Sequence, residues 1–227
     1  MPKYVSGGAI RTSGGAIAQT AAQTGSTVTI VESWEDQDAS NYSGFDTGDH
    51  SFVTSPVLAG SYALAMESFD SFYDANPSPA PQKGDEFWVY AYFTNQLNRL
   101  RVFFGLESGT SETYEISFDA DSDAFRLNTV VGGNRSVLGT VSATAAPDTW
   151  YGGKVQWDDG NEFGGADNDI TVEFVEDPFG TNTALGTVGP ENNSDHTTGT
   201  GTGYNPAGSN LSASNPIVTD HFHITNR

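Results

Sequence analysis

Two histidines, His221 and His223, alternate in the closing segment "IVTDHFHITN". On a strand such residues point to one face, and with a third ligand they would suit zinc, which takes four tetrahedral donors. His50 and His196 are the remaining histidines, and nothing in the sequence ties them to the pair. With no cysteine in the chain, thiolate ligands and disulfides are excluded. A solvent-side pair on an edge strand accounts for His221 and His223 without a metal. Asp119, Asp121 and Asp123 alternate in "DADSDAF" as in a calcium loop, but the Gly and the distal Glu of an EF-hand are missing, so they read as turn acids. A nucleophile elbow, a P-loop and a dinucleotide-binding fingerprint are all lacking, since "SGGAIRTSGG" neither follows a strand nor opens a helix.

The charge balance narrows the partners. Against 29 Asp and Glu stand 9 Lys and Arg, a formal net charge of -20. Nucleic acid and anionic lipid are disfavoured, because phosphate neutralisation needs clustered cations. The acids are scattered, as in "WDDGNEFGGADND", and form a solvated coat that self-repels in dilute salt and is screened in strong salt. This composition is similar to that of halophile proteins; an acidic secreted protein or clustered calcium sites is the rival account. No run of apolar residues is long enough for a membrane span, and the N-terminal segment lacks the apolar stretch of a signal peptide. Sequons at Asn41, Asn134, Asn192 and Asn210 arise easily by chance in a chain this rich in Asn, Ser and Thr.

The elements that must position any site are strands. From Gly25 onward, short period-two runs alternate with Gly, Asn, Asp and Pro clusters, the pattern of antiparallel β structure. "GSYALAMESF" puts Tyr62, Leu64 and Met66 on one face and Ala63 and Ala65 on the other. "DEFWVYAYFT" puts Phe87, Val89, Ala91 and Phe93 opposite Trp88, Tyr90 and Tyr92, as in a central strand covered on both sides. "LRVFFGLE", "TYEISFDA", "AFRLNTVVGG" and "RSVLGTVS" follow at the spacing of a meander. In "NDITVEFVED" Ile170, Val172 and Phe174 point inward, and in the closing segment Val218, Phe222 and Ile224 share a face. Residues 181–215, rich in Gly, Thr, Asn and Ser, read as a long surface loop in which Tyr204 is a natural contact residue.

Five stretches, "VESWEDQDASNYSG", "SPVLAGSYALAME", "DTWYGGKVQWDD", "ITVEFVEDPFGTNTALGTV" and "IVTDHFHITN", together resemble the landmarks of the laminin-G-like or concanavalin A-like jelly-roll domains common in haloarchaeal proteins. The resemblance covers roughly residues 28–226 and speaks to fold before function. It implies an all-β antiparallel sandwich, often with a structural calcium and often binding glycans. In the resembling family the first and last strands meet and their acids hold the ion, which implies Glu35, Asp36 and Asp220 as Ca2+ ligands; ordinary surface acids are the alternative. The family also includes β-glucanases, whose E-x-D-x-x-E strand sets carboxylates on one sheet face. "TYEISFDA" and "VEFVED" come nearest and both miss that spacing, so the expectation is a protein that is not an enzyme.

Residues 1–25 lie outside the resemblance and contain SGGAI twice, seven residues apart. Too glycine-rich to fold alone, this N-terminal arm suits strand addition to a neighbour, with Tyr4, Val5, Ile10 and Ile17 as its apolar contacts. The division expected is therefore an assembly arm (1–25) and a jelly-roll domain (26–227). Arm, acidic coat and exterior-type fold together suggest a virion structural protein of a halophilic archaeal virus: a turret, fibre, spike or decoration subunit at the virion surface. It would partner itself as a homo-oligomer and other virion proteins, and touch host glycans. The alternative is a carbohydrate-binding or adhesion module of an extracellular or cell-surface protein.

Overall fold

In the computed structural model the described residues are 9–12, 15–18 and 28–225. Seventeen strands run through them. The first two, β1 (Ala9–Thr12) and β2 (Gly15–Ala18), form a sheet of their own in which Ile10 lies opposite Ile17. The closing isoleucines of the two SGGAI copies thus face each other. Tyr4 and Val5, the other expected arm contacts, lie outside the described residues.

The remaining strands are β3 (Thr29–Glu32), β4 (His50–Val53), β5 (Ala63–Met66), β6 (Phe72–Asp74), β7 (Glu86–Phe93), β8 (Asn98–Leu106), β9 (Thr113–Asp119) and β10 (Ala124–Val131). They continue as β11 (Asn134–Ser142), β12 (Thr149–Asp159), β13 (Asp167–Glu176), β14 (Thr183–Asn192), β15 (Gly201–Gly208), β16 (Ile217–Thr219) and β17 (Phe222–Ile224). One six-stranded sheet has the order β11-β10-β9-β8-β15-β6, so the expected meander is four neighbouring strands. The second sheet runs β14-β13-β12-β7-β16-β5-β4, with β17 and β3 joined to it through β7. Pairing between named strands is antiparallel throughout. The molecule is an antiparallel jelly-roll sandwich.

Alternation in the strands decides the core. Leu64 and Met66, the odd residues Phe87 to Phe93, and Ile170, Val172 and Phe174 all enter one buried cluster, as their spacing requires. Rings from the two sheets interlock: Phe104 and Tyr114 of β8 and β9 meet Trp157 of β12 at 5.5 and 5.7 Å, and Phe118 meets Phe174 of β13 at 5.7 Å. Each such ring removed from water contributes about 1.5–3 kcal/mol. The sandwich closes along β11 and β14, where a Cβ on Gly139 would meet Val188 at 2.3 Å.

Three expectations are corrected. Residues 181–215 are not one loop: they hold β14 and β15, the latter an interior strand between β8 and β6. Its glycines answer to close neighbours, since a Cβ on Gly203 would meet the Phe72 carbonyl oxygen at 2.6 Å. Tyr204 is accordingly no surface contact residue. It is 2% exposed, packed against Trp34, Tyr42 and Phe72. In the closing segment Val218 joins a small cluster with Ala63 and Ala65, whereas Phe222 and Ile224 join the main core. The reason is a break at His221, whose φ of +32° is left-handed and ends the alternation.

Candidate functional site

The acids named from the sequence are held by backbone. Asp220, 1% exposed, accepts hydrogen bonds at Oδ2 from the N–H groups of Leu58 and Ala59 (2.8 and 3.0 Å). Its Oδ1 accepts from the His221 N–H at 2.8 Å and lies 2.7 Å from His221 Nδ1. Glu35 Oε1 accepts from Ser61 and Tyr62 N–H at 2.8 and 3.0 Å, so the two carboxylates clamp opposite ends of one short loop. Asp36 is exposed and makes a turn bond to the Asp38 N–H. Among the described residues no three or more His, Cys, Asp or Glu side chains gather as a metal site.

The histidines are not a solvent-side pair. β17 pairs with both β3 and β7, so it is not an edge, and His221 and His223 are 4% and 8% exposed. His223 stacks on Tyr90 at 5.8 Å, and burial, with the charge of His221, pulls its imidazole down to about 3. Of the alternating aspartates, Asp121 and Asp123 are exposed in the β9–β10 turn, while Asp119 ends β9.

A different set of residues forms an extended polar face on the six-stranded sheet. On β8, Leu100, Val102 and Phe104 enter the core, so Arg99, Arg101 and Phe103 point away from it. On β9 the core takes Tyr114, Ile116 and Phe118, leaving Glu115, Ser117 and Asp119 on the same outer face. On β10 Phe125 and Leu127 go in, and Arg126 and Asn128 face out. Register places these side by side. Arg126 lies opposite Ser117, Ser117 opposite Arg101, and Arg101 opposite Asn205 of β15; one step along, Asn128 lies opposite Glu115 and Glu115 opposite Phe103.

The face is tightly ordered. Arg135 of β11 donates through Nε and Nη2 to the two oxygens of Glu115, at 2.5 and 2.8 Å. Arg126 donates to Asp119 at 2.8 Å and to the Ser122 hydroxyl at 2.9 Å. Arg101 donates to the Asn205 side-chain oxygen at 2.7 Å, and Asn205 in turn donates to the Ser71 hydroxyl. Glu115, Ser117 and Asn128 are 1%, 3% and 1% exposed although they point away from the core, so their longer neighbours fold over them. Two polar atoms here have no partner, Asn128 Oδ1 and Arg99 Nε. Burial first, then the charges of Arg135 and Arg99, pull the Arg101 guanidinium down to about 10, while the carboxylate of Glu115 pushes that of Arg135 up.

At one end the face opens into a depression of about 300 Å³ lined by Phe69, Arg99, Asp121, Ala207, Gly208 and Ser209. Phe69, 57% exposed, supplies a bare aromatic surface beside this polar grid. The sequence carried a signal for the grid: in "NRLRVFFGLE" and "TYEISFDA" the charges fall on alternate residues. Four of the six arginines of the chain fall on this one face.

No family model matches the chain, and no curated protein matches it. Solved structures do. The globular domain of T. cruzi calreticulin is similar with a TM-score of 0.55 at 9% identity, over 88% of this chain and 89% of that one. The receptor binding domain of botulinum neurotoxin D gives 0.51 at 7% identity, over 82% of this chain and 44% of that one. The carbohydrate binding module CBM66 from Bacillus subtilis gives 0.48 at 10% identity, over 82% and 92%. At such identities the likeness to the first two shows the fold alone, an antiparallel β-sandwich.

Proposed function

We propose that the protein is a glycan-binding module whose binding surface is the outer face of the six-stranded sheet. The observation that carries this reading is the row of half-buried side chains Arg126, Arg101 and Asn205, held in place by their own hydrogen bonds beside the buried Glu115, Ser117 and Asn128. A sugar presents hydroxyls that both donate and accept, and fixed guanidinium and amide groups meet them without the entropy cost of being ordered on binding. Phe69 at the rim offers the apolar surface on which a pyranose ring stacks. Hydrolysis is not proposed. A glycosidase acid must hold a proton for its leaving group, whereas Glu115 and Asp119 are each engaged by an arginine.

A glycan array with the full chain tests this, followed by titration calorimetry on the best hit. Binding that falls at least about tenfold in Phe69→Ala and in Asn205→Ala supports the face, on the scale of one lost hot-spot contact. Failure to bind any glycan, or binding indifferent to both changes, overturns it.

A second reading concerns the arm: a virion surface subunit anchored through residues 1–25. It is supported by the separate β1–β2 sheet, which pairs with no strand of the sandwich. Mass measurement in molar salt decides it. A homo-oligomer that becomes monomeric when residues 1–25 are deleted agrees with it, and a monomer unaffected by the deletion does not.

A further inference from the structure

The charge on this face is out of keeping with the rest of the chain. With 9 cationic side chains against 29 anionic ones overall, Arg99, Arg101, Arg126 and Arg135 nevertheless share one sheet face with two carboxylates, Glu115 and Asp119. Those two carboxylates are taken, Glu115 by Arg135 and Asp119 by Arg126. Arg99 and Arg101 are left without a carboxylate partner among the described residues. Arg101 has only the neutral oxygen of Asn205, and the Nε of Arg99 is buried with no acceptor. Asp121 at the rim of the depression is exposed and forms no ion pair with Arg99.

Two neighbouring guanidiniums, one partly desolvated and neither in an ion pair of its own, repel each other more than the already engaged Glu115 and Asp119 offset at Arg101, and the fold tolerates that cost. A neutral ligand would worsen it, because covering the pair removes water and returns no charge. An oxyanion between them would do the reverse. Residues i and i+2 of a strand stand roughly 7 Å apart on one face, a span that a planar carboxylate or a tetrahedral sulfate bridges with charge-assisted hydrogen bonds to both.

We infer that the glycan taken by this face is anionic, and that Arg99 and Arg101 receive its carboxylate or sulfate group beside the aromatic wall of Phe69. The inference rests on the glycan-binding reading above. The rest of the acidic surface repels such a ligand at long range, so contact with the arginine pair has to supply the selectivity, and strong salt screens the repulsion more than the contact.

Calorimetry on the full chain distinguishes the outcomes, with three probes: an oligogalacturonate for carboxylate, a sulfated galactan oligosaccharide for sulfate, and the neutral galactan oligosaccharide. Each is titrated at 0.15 M and 2 M NaCl. One anionic probe is expected to bind at least about tenfold tighter than the neutral one, and which one does so identifies the group. The double variant Arg99→Gln/Arg101→Gln should bring that ratio to within about twofold, with the near-ultraviolet dichroism of the native fold retained; Lys154→Gln, on the other sheet, should leave it unchanged. Equal affinity for the neutral probe, or a ratio that survives the double variant, overturns the inference. If the neutral probe binds and Phe69→Ala weakens it, the face stands and only the anion assignment falls. If no probe and no arrayed glycan binds, the glycan reading itself has failed.

Discussion

Arg135 grips Glu115 across an intervening strand: its Nε and Nη2 reach both carboxylate oxygens, and the carboxylate is 1% exposed whereas the guanidinium lies on the exposed strand β11. The pair therefore ties a sheet edge to the sheet's interior. Arg135→Ala leaves a buried carboxylate without its cation and is expected to cost about 2 kcal/mol. Glu115→Gln/Arg135→Ala should recover part of that loss, as measured by urea unfolding. A single variant as stable as the wild type would show that the pair is replaced by water.

Acid sensitivity follows from His223. Burial lowers its folded-state value from 6.5 to about 3, so between those limits the unfolded chain binds a proton that the folded chain refuses. Stability is complete above pH 6.5 and falls as the pH drops toward 3. The loss at pH 4 is on the order of 3 kcal/mol. His223→Gln should flatten this slope in denaturant midpoints collected from pH 7 to pH 4. An unchanged slope would assign it to other groups, among which His50 is lowered in the same direction by burial.

Asp220 is a structural clamp in the geometry described above. Because N–H donors converge on both of its oxygens, Asp220→Ala strands the Leu58 and Ala59 amides and should cost about 3 kcal/mol. The same saturation leaves no lone pairs directed at a cation. Addition of a calcium chelator should accordingly move Tm by less than about 1 °C. A larger drop on chelation, restored by Ca2+, would reinstate an ion near Glu35 and Asp36.

Gly203 tests why β15 was hidden in its composition. Gly203→Ala drives a methyl group onto the Phe72 carbonyl oxygen and Tyr73 Cβ, at 2.6 and 2.7 Å. The expected cost is about 2 kcal/mol, with hydrogen exchange faster first at the β6–β15 pairing. Protection unchanged at Phe72 to Asp74 would contradict it.

That strand shows where sequence reading stops. Alternation in "DEFWVYAYFT" and "NDITVEFVED" declared their faces, because large apolar residues at period two have only one sheet-compatible arrangement. "TTGTGTGYNPAG" carries no such pattern, since its interior position is bought with small side chains, and composition alone resembles a loop. The same limit hid Tyr204. The arginine face was legible in principle from polar residues at alternate positions of β8, β9 and β10: Arg99 and Arg101, then Glu115, Ser117 and Asp119, then Arg126 and Asn128. What the strands alone could not supply was the register that sets Arg126, Ser117, Arg101 and Asn205 in one row. Glu35, Asp36 and Asp220 were named as ligands of an ion, and two of them, Glu35 and Asp220, hold backbone amides; a sequence does not distinguish a carboxylate that waits for a cation from one already serving backbone amides.

The break at Asp220 and His221 lets one closing segment serve twice along β7, as β16 beside its C-terminal half and β17 beside its N-terminal half, with β17 also holding β3. Strands almost two hundred positions apart in the chain are thereby joined, so the sheet stays open on the ribosome until this segment has emerged. Folding is slow in proportion to the long loops it must close. For as long as it lasts, the chain has to be kept soluble by other means, and the negative charge dispersed from Glu32 onward is one of them.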